Sequence, residues 1–183
     1  LLTDIHHIIS DGISQEILTQ EFLSLYNNKR LPENKLQFKD YSEWLTSEAE
    51  QKRLKESELF WLNEFSGELP TLNLPMDFVR PKEINYNGKT VNFIIENHET
   101  QVLKRIASDN GTTMYAVLLS VLNILLYKLS GQQNIVIGTP TSGRNHTDLE
   151  SMLGAFINTL PIKNHIKPNR TFKELLLEVK EKT

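Results

Sequence analysis

His6-His7-Ile8-Ile9-Ser10-Asp11-Gly12 places two imidazoles, a carboxylate and a glycine where a strand hands over to a helix. Before it, Leu1, Thr3 and Ile5 alternate as one face of a short strand. After it, Ile13, Ile17, Leu18, Phe22 and Leu25 recur at helical spacing, which predicts an amphipathic helix over 13–26. The segment between is a connecting loop, and if strand geometry persists through both histidines their rings point to opposite faces. One imidazole is then chemical and the other structural. Gly12 permits backbone angles that other residues resist, and Asp11 stands where it can cap the helix or hold a cation. From the residues alone, a catalytic loop and a buried histidine beside a capping aspartate both stay open. A metal site is disfavoured, since adjacent histidines in a strand diverge and no further ligand stands at zinc-like spacing.

Further along, Phe38-Lys39-Asp40-Tyr41-Ser42-Glu43-Trp44 sets an aromatic, Asp, Tyr and Trp in one short stretch, and Leu74-Pro75-Met76-Asp77 is followed by Arg80-Pro81. Gly138-Thr139-Pro140-Thr141-Ser142-Gly143-Arg144 and Leu153-Gly154-Ala155-Phe156-Ile157-Asn158-Thr159 come later. In this order, and with the HHxxxDG pattern at residues 6–12, these stretches resemble the motifs of condensation domains from nonribosomal peptide synthetases. HHxxxDG alone is shared with epimerisation domains and other acyltransferase relatives, so the ordered set across the chain carries the resemblance. The chain is expected to be an internal piece of such a domain. It begins at the strand carrying His6, residue 1 is Leu, and it ends inside a helix that opens with a capping box, Thr171 to Glu174.

Composition fits an ordinary intracellular piece. Of 183 residues, 39% are hydrophobic, enough for a core in one domain or two small lobes. The absence of cysteine excludes a disulfide framework, thiol nucleophiles and thiolate metal sites, and it suits the reducing cytoplasm expected for the parent. A net charge of -3 offers no basic stripe to nucleic acid. The apolar run Met114 to Leu129 is too short for a bilayer and carries Ser120, Asn123 and Lys128, so it predicts a buried helix started by Thr112 or Thr113 and closed by Gly131.

Other elements alternate in type. Helices are predicted near Tyr41 to Leu54, Ser57 to Phe65 and Glu99 to Asn110. Strands are predicted at Lys89 to Glu96, where Val91, Phe93 and Ile95 alternate, at Ile135-Val136-Ile137, and over Phe156 to Lys163. The class is therefore α/β or α+β. The resemblance implies two lobes like chloramphenicol acetyltransferase, each incomplete in this piece. Residues 1–85 would be the C-terminal part of the N-lobe and 86–183 the N-terminal part of the C-lobe, with a tunnel between and the histidine motif at its middle.

The resemblance implies amide formation between a carrier-tethered acyl or peptidyl thioester and a carrier-tethered aminoacyl amine. The chain has no Walker loop, GxGxxG fingerprint or GxSxG elbow, in keeping with direct attack on a thioester that is already activated. His7 would be the chemical group, either accepting the amine's proton or positioning the amine, and His6 its structural neighbour. Asp11, Gly12 and Arg144 would be supporting residues, Asp11 pairing with Arg144, and Asn158 would hydrogen-bond substrate. The implied partners are upstream and downstream peptidyl carrier proteins and an adjacent adenylation domain. Phosphopantetheine is supplied by the carriers, so no cofactor is expected on this chain. The alternatives are an epimerisation domain of the same fold, disfavoured by Gln15-Glu16 where an aromatic-Arg pair is expected, and a non-catalytic carrier-docking module. Ser10 and Ser14 are expected to be loop or cap residues. Tyr41 and Trp44, three apart on one helix face, are expected to pack against neighbours.

Overall fold

Asp11 starts the first helix as its N-cap, its side chain accepting from the Ser14 amide. The computed structural model describes residues 2–33, 36–79, 81–83 and 85–183. Leu1 and Arg80, on which the first predicted strand and the Arg80-Pro81 motif partly rest, lie outside them. The elements are α1 (Gly12–Tyr26), α2 (Phe38–Leu45), α3 (Glu48–Glu64), α4 (Asn97–Asp109), α5 (Met114–Ser130), β1 (Asn134–Thr141), α6 (Thr147–Glu150), β2 (Asn158–His165) and α7 (Phe172–Lys182). β1 and β2 pair as a two-stranded sheet. The mixed class expected from the sequence is the one observed.

The chain forms two compact units that interleave along the sequence. One comprises Leu1–Leu69 with Gly138–Leu160, the other Pro70–Ile137 with Pro161–Thr183. The first unit has a small core of Leu149, Met152 and Phe156, against which Tyr41 packs. The second buries Ala107 from α4, Ala116, Val117 and Leu119 from α5, and Leu175, Leu176 and Val179 from α7, together with Ile135 and Ile166.

Local signals explain most boundaries. Gln37 and Asp40 form a capping box that starts α2, and the Ser47 side chain accepts from the Glu50 amide to start α3. The predicted break between residues 54 and 57 is therefore wrong, because the chain breaks at a real capping serine and runs unbroken past Glu56. Thr113 caps α5, Gly131 closes it with φ 70°, and Thr171 and Glu174 form the expected box on α7.

Four expectations about burial and extended structure fail. Residues 2–5 and 89–96 are not strands. Val91 and Phe93 are more than four-fifths exposed, and among the described residues no strand supplies the ladder bonds that an alternating segment needs. On α1, Ile13, Phe22 and Leu25 are exposed, and the residue buried instead is Ser14. α5 buries one face only: Ala116, Val117, Leu119, Ser120 and Asn123 are inside, while Leu118, Leu122 and Leu125 are exposed. Ala116, Val117 and Leu119 of that face join a core with Ala107 of α4 and Leu175, Leu176 and Val179 of α7, while Ser120 and Asn123 donate back to the Ala116 and Leu119 carbonyls. Among the described residues no single helix is long and apolar enough to cross a membrane.

Candidate active site

The histidine loop is a turn. The Ile9 amide donates to the His6 carbonyl at 3.2 Å, and the Ile8 amide donates to His6 Nδ1 at 3.1 Å. His6 thus folds back onto its own loop, and both rings are exposed, so the opposite-face geometry of a strand does not apply. Burial begins at Ser10 and is nearly complete at Asp11, which is 2% exposed.

Asp11 is the centre of a buried polar knot within the first unit. Its Oδ1 accepts from the Ser14 amide at 2.8 Å and its Oδ2 from the Phe156 amide at 3.1 Å. Arg144 Nη2 lies 3.2 Å from Oδ1, and both side chains of this ion pair are 3% exposed. The expected Asp11–Arg144 contact is thus present. Arg144 also donates through Nη1 to the carbonyls of Leu149 and Met152, the latter at 2.7 Å, and its guanidinium lies 4.2 Å above the Phe156 ring. Burial pushes the Asp11 carboxyl upward, yet the hydrogen bonds from Ser14, Phe156 and Arg144 outweigh it and hold the pKa at about 2.

Ser14 is the site residue that sequence reasoning placed too lightly. Its hydroxyl donates to the Gly154 carbonyl at 2.7 Å and accepts from the Gly154 amide at 3.0 Å and from Arg144 Nη2 at 2.9 Å. These bonds join α1 to a segment 140 residues away in the sequence. The only local signal was a small polar residue in the first turn of an apolar helix, which a cap explains equally well.

Two glycines let the later segments close on this knot. Gly143 has φ +65°, and a Cβ there would meet the Phe156 carbonyl oxygen at 2.0 Å. At Gly154 a Cβ would lie 2.1 Å from the Phe38 ring. Phe38, Tyr41 and Phe156 meet at centroid distances of 5.0 to 5.8 Å, and Trp44 stacks on Tyr41, as its spacing predicted. Gly12 differs from the expectation. It does not adopt a positive φ, and a Cβ there would meet nothing within 4 Å, so neither backbone angle nor space demands glycine among the described residues.

Asn158 is exposed at the start of β2, where its Oδ1 accepts from the Thr159 amide at 2.8 Å. A cleft of about 620 Å³ in the same unit is lined by Tyr41, Trp44, Glu50, Arg53, His146 and neighbours, and does not include the loop histidines. His146 caps α6 and His165 Nδ1 contacts Asn134 at 2.7 Å, local roles that need no chemistry.

Comparison with known proteins covers this whole arrangement. The family model described as "Condensation domain" matches residues 1–183. Bacitracin synthase 2 of Bacillus licheniformis is 47% identical over 183 residues, all of this chain and 7% of its own length. Among solved structures, a four-domain nonribosomal peptide synthetase bound to AMP and glycine superposes with TM-score 0.83 at 28% identity, over 97% of this chain and 14% of that one. The X-domain from teicoplanin biosynthesis superposes with TM-score 0.84 at 25% identity, over 97% of this chain and 42% of that one. The chain therefore spans a small part of the synthetase and less than half of the single domain. With the ordered motifs, the fold and a match along its full length in agreement, this chain belongs to the condensation-domain family.

Proposed function

We infer that the parent of this chain forms amide bonds in nonribosomal peptide synthesis, and that the His6–Gly12 loop carries the reaction centre. The observation that carries the reading is the anchoring of a histidine-bearing loop to a buried Asp11–Arg144 pair, with Asp11 also held by the Ser14 and Phe156 amides. Such a knot fixes where the exposed His7 begins and leaves its ring available.

In the proposed step the amine of a carrier-bound aminoacyl group attacks the carbonyl carbon of an upstream carrier-bound thioester. A C–N bond forms, the tetrahedral intermediate collapses, and the C–S bond breaks to release the upstream carrier's thiol. The amine loses one proton and the departing thiolate takes one up. His7 is the proposed proton acceptor or the group that orients the amine, imidazole being suited to both near neutral pH. Asp11 and Arg144 act as support, with Asp11 ionised throughout the working range, and Asn158 is the proposed hydrogen-bonding residue for substrate. Phosphopantetheine arms belong to the partner carriers, with an adenylation domain alongside in the parent. The cytoplasmic location belongs to the same proposal, as does the assignment of residues 1–85 and 86–183 to the N- and C-lobes.

The test is the product on the acceptor carrier of the intact synthetase with both carriers loaded, read by mass spectrometry and chiral analysis. An amide-extended acceptor is expected. An unextended aminoacyl thioester with inverted α-carbon would instead establish epimerisation, and neither change would support the docking-module reading.

A further inference from the structure

The hydrogen bond between the Ile8 amide and His6 Nδ1, at 3.1 Å, gives the first histidine a task that differs from packing. Residues 7–9 form the crest of the loop, and Ile8 and Ile9 are 76% and 66% exposed. Apolar contact therefore does little to hold the crest. Among the described residues the crest makes two hydrogen bonds, both to His6: Ile8 N–H to the ring and Ile9 N–H to the carbonyl. Only the first depends on a side chain.

We propose that His6 is a positioning residue that sets the direction of His7 by closing a side-chain turn over the Ile8 amide, a role that rests on the reading of His7 given above. The chemistry is that of an Asx turn, in which a side-chain acceptor bonds the amide two residues on. Nδ1 of histidine and Oδ1 of asparagine stand the same number of bonds from Cα, so asparagine reproduces the acceptor. Glutamine places its oxygen one bond too far, and leucine fills similar space with no acceptor at all. To accept from Ile8, His6 must leave Nδ1 without a proton and carry its ring hydrogen on Nε2. His6 is thereby committed to the loop and is not free to serve as a second base through Nδ1.

The test uses the intact synthetase with both carriers loaded by its own modules, comparing single-turnover amide formation for His6→Asn, His6→Gln, His6→Leu and His7→Ala. Thermal unfolding of each variant is recorded alongside. His6→Asn is expected within about twofold of the parental rate, and His6→Leu and His6→Gln roughly two- to tenfold slower, the span of one net hydrogen bond. If Leu fails to fold, the Asn and Gln comparison decides the matter alone. Asn and Gln equally slow would overturn the proposal by showing that the imidazole itself is needed, and all variants at the parental rate would overturn it by showing that the turn is not. His7→Ala at the parental rate would overturn the reading of His7, and this proposal with it, whatever the order of the His6 variants.

Discussion

Replacing Arg144 with methionine removes the cation from a site where little solvent can take its place. The side chains of Asp11 and Arg144 are each 3% exposed and 3.2 Å apart, and removing one partner of such a pair typically costs about 3–5 kcal/mol. The structure places Arg144→Met toward the lower part of that range. Asp11 keeps the amides of Ser14 and Phe156, while the carbonyls of Leu149 and Met152 and the Ser14 hydroxyl lose a donor. The pH dependence gives a magnitude for the whole set of bonds to Asp11, to which Ser14 and Phe156 contribute ahead of Arg144. Asp11 titrates at about 2 against 3.8 for the ordinary group, which corresponds to roughly 2 kcal/mol of stability. Because the folded pKa is depressed, that stability is present above about pH 3.8 and is lost as pH falls through about 2. Urea unfolding followed by tryptophan fluorescence reports on the right unit, since Trp44 stacks on Tyr41, which packs on Phe156. Arg144→Met should lower the unfolding free energy by about 3 kcal/mol at pH 7 and leave most of its fall between pH 4 and 2 in place, because the Ser14 and Phe156 bonds that chiefly hold the Asp11 carboxyl low remain. A loss below about 1 kcal/mol at pH 7, the size of an exposed pair, would refute the buried-knot argument.

Other perturbations follow from the same geometry. Gly143→Ala should cost roughly 2 kcal/mol or more, through positive φ and collision with the Phe156 carbonyl, read as a drop in the urea midpoint. Ser14→Ala should cost about 1–3 kcal/mol by leaving the buried Gly154 amide and carbonyl without their partner; a change of a few tenths would show that the hydroxyl is dispensable. Thr171→Ala should cost about 1 kcal/mol as a lost N-cap. It should also let the Glu174 carboxyl, held low by its bonds to Thr171, titrate higher by NMR.

Local signals in the chain are legible, and distant partnerships are not. Asp11 as a cap, Thr113 with Gly131 around α5, and the Thr171–Glu174 box depend on neighbours a few residues away, and the structure contains all of them. The Asp11–Arg144 pair spans 133 residues and was expected only through the resemblance, since nothing in spacing links the two positions. Ser14 escaped notice for the same reason. The alternation of Val91, Phe93 and Ile95 was a true β pattern without a β structure, because periodicity states what a segment can do and a neighbouring strand decides whether it does. The apolar run of α5 misled about burial because length and hydropathy do not say how many neighbours a helix has. His6 and His7 were read on a strand template, and a turn with both rings exposed replaced it.

The central claim is that His7 carries or positions the proton of the attacking amine. Its most direct test is single-turnover amide formation by the intact synthetase, with both carriers preloaded, for the parent and for His7→Ala across a range of pH. A positioned general base contributes typically about 10²–10⁴-fold, so the variant should be slower by at least about 100-fold near neutral pH. If His7 acts as the base, the parental dependence on an imidazole titration should vanish as well. A uniform loss with an unchanged pH profile would assign His7 to positioning. Near-parental rates for His7→Ala at every pH would contradict the account.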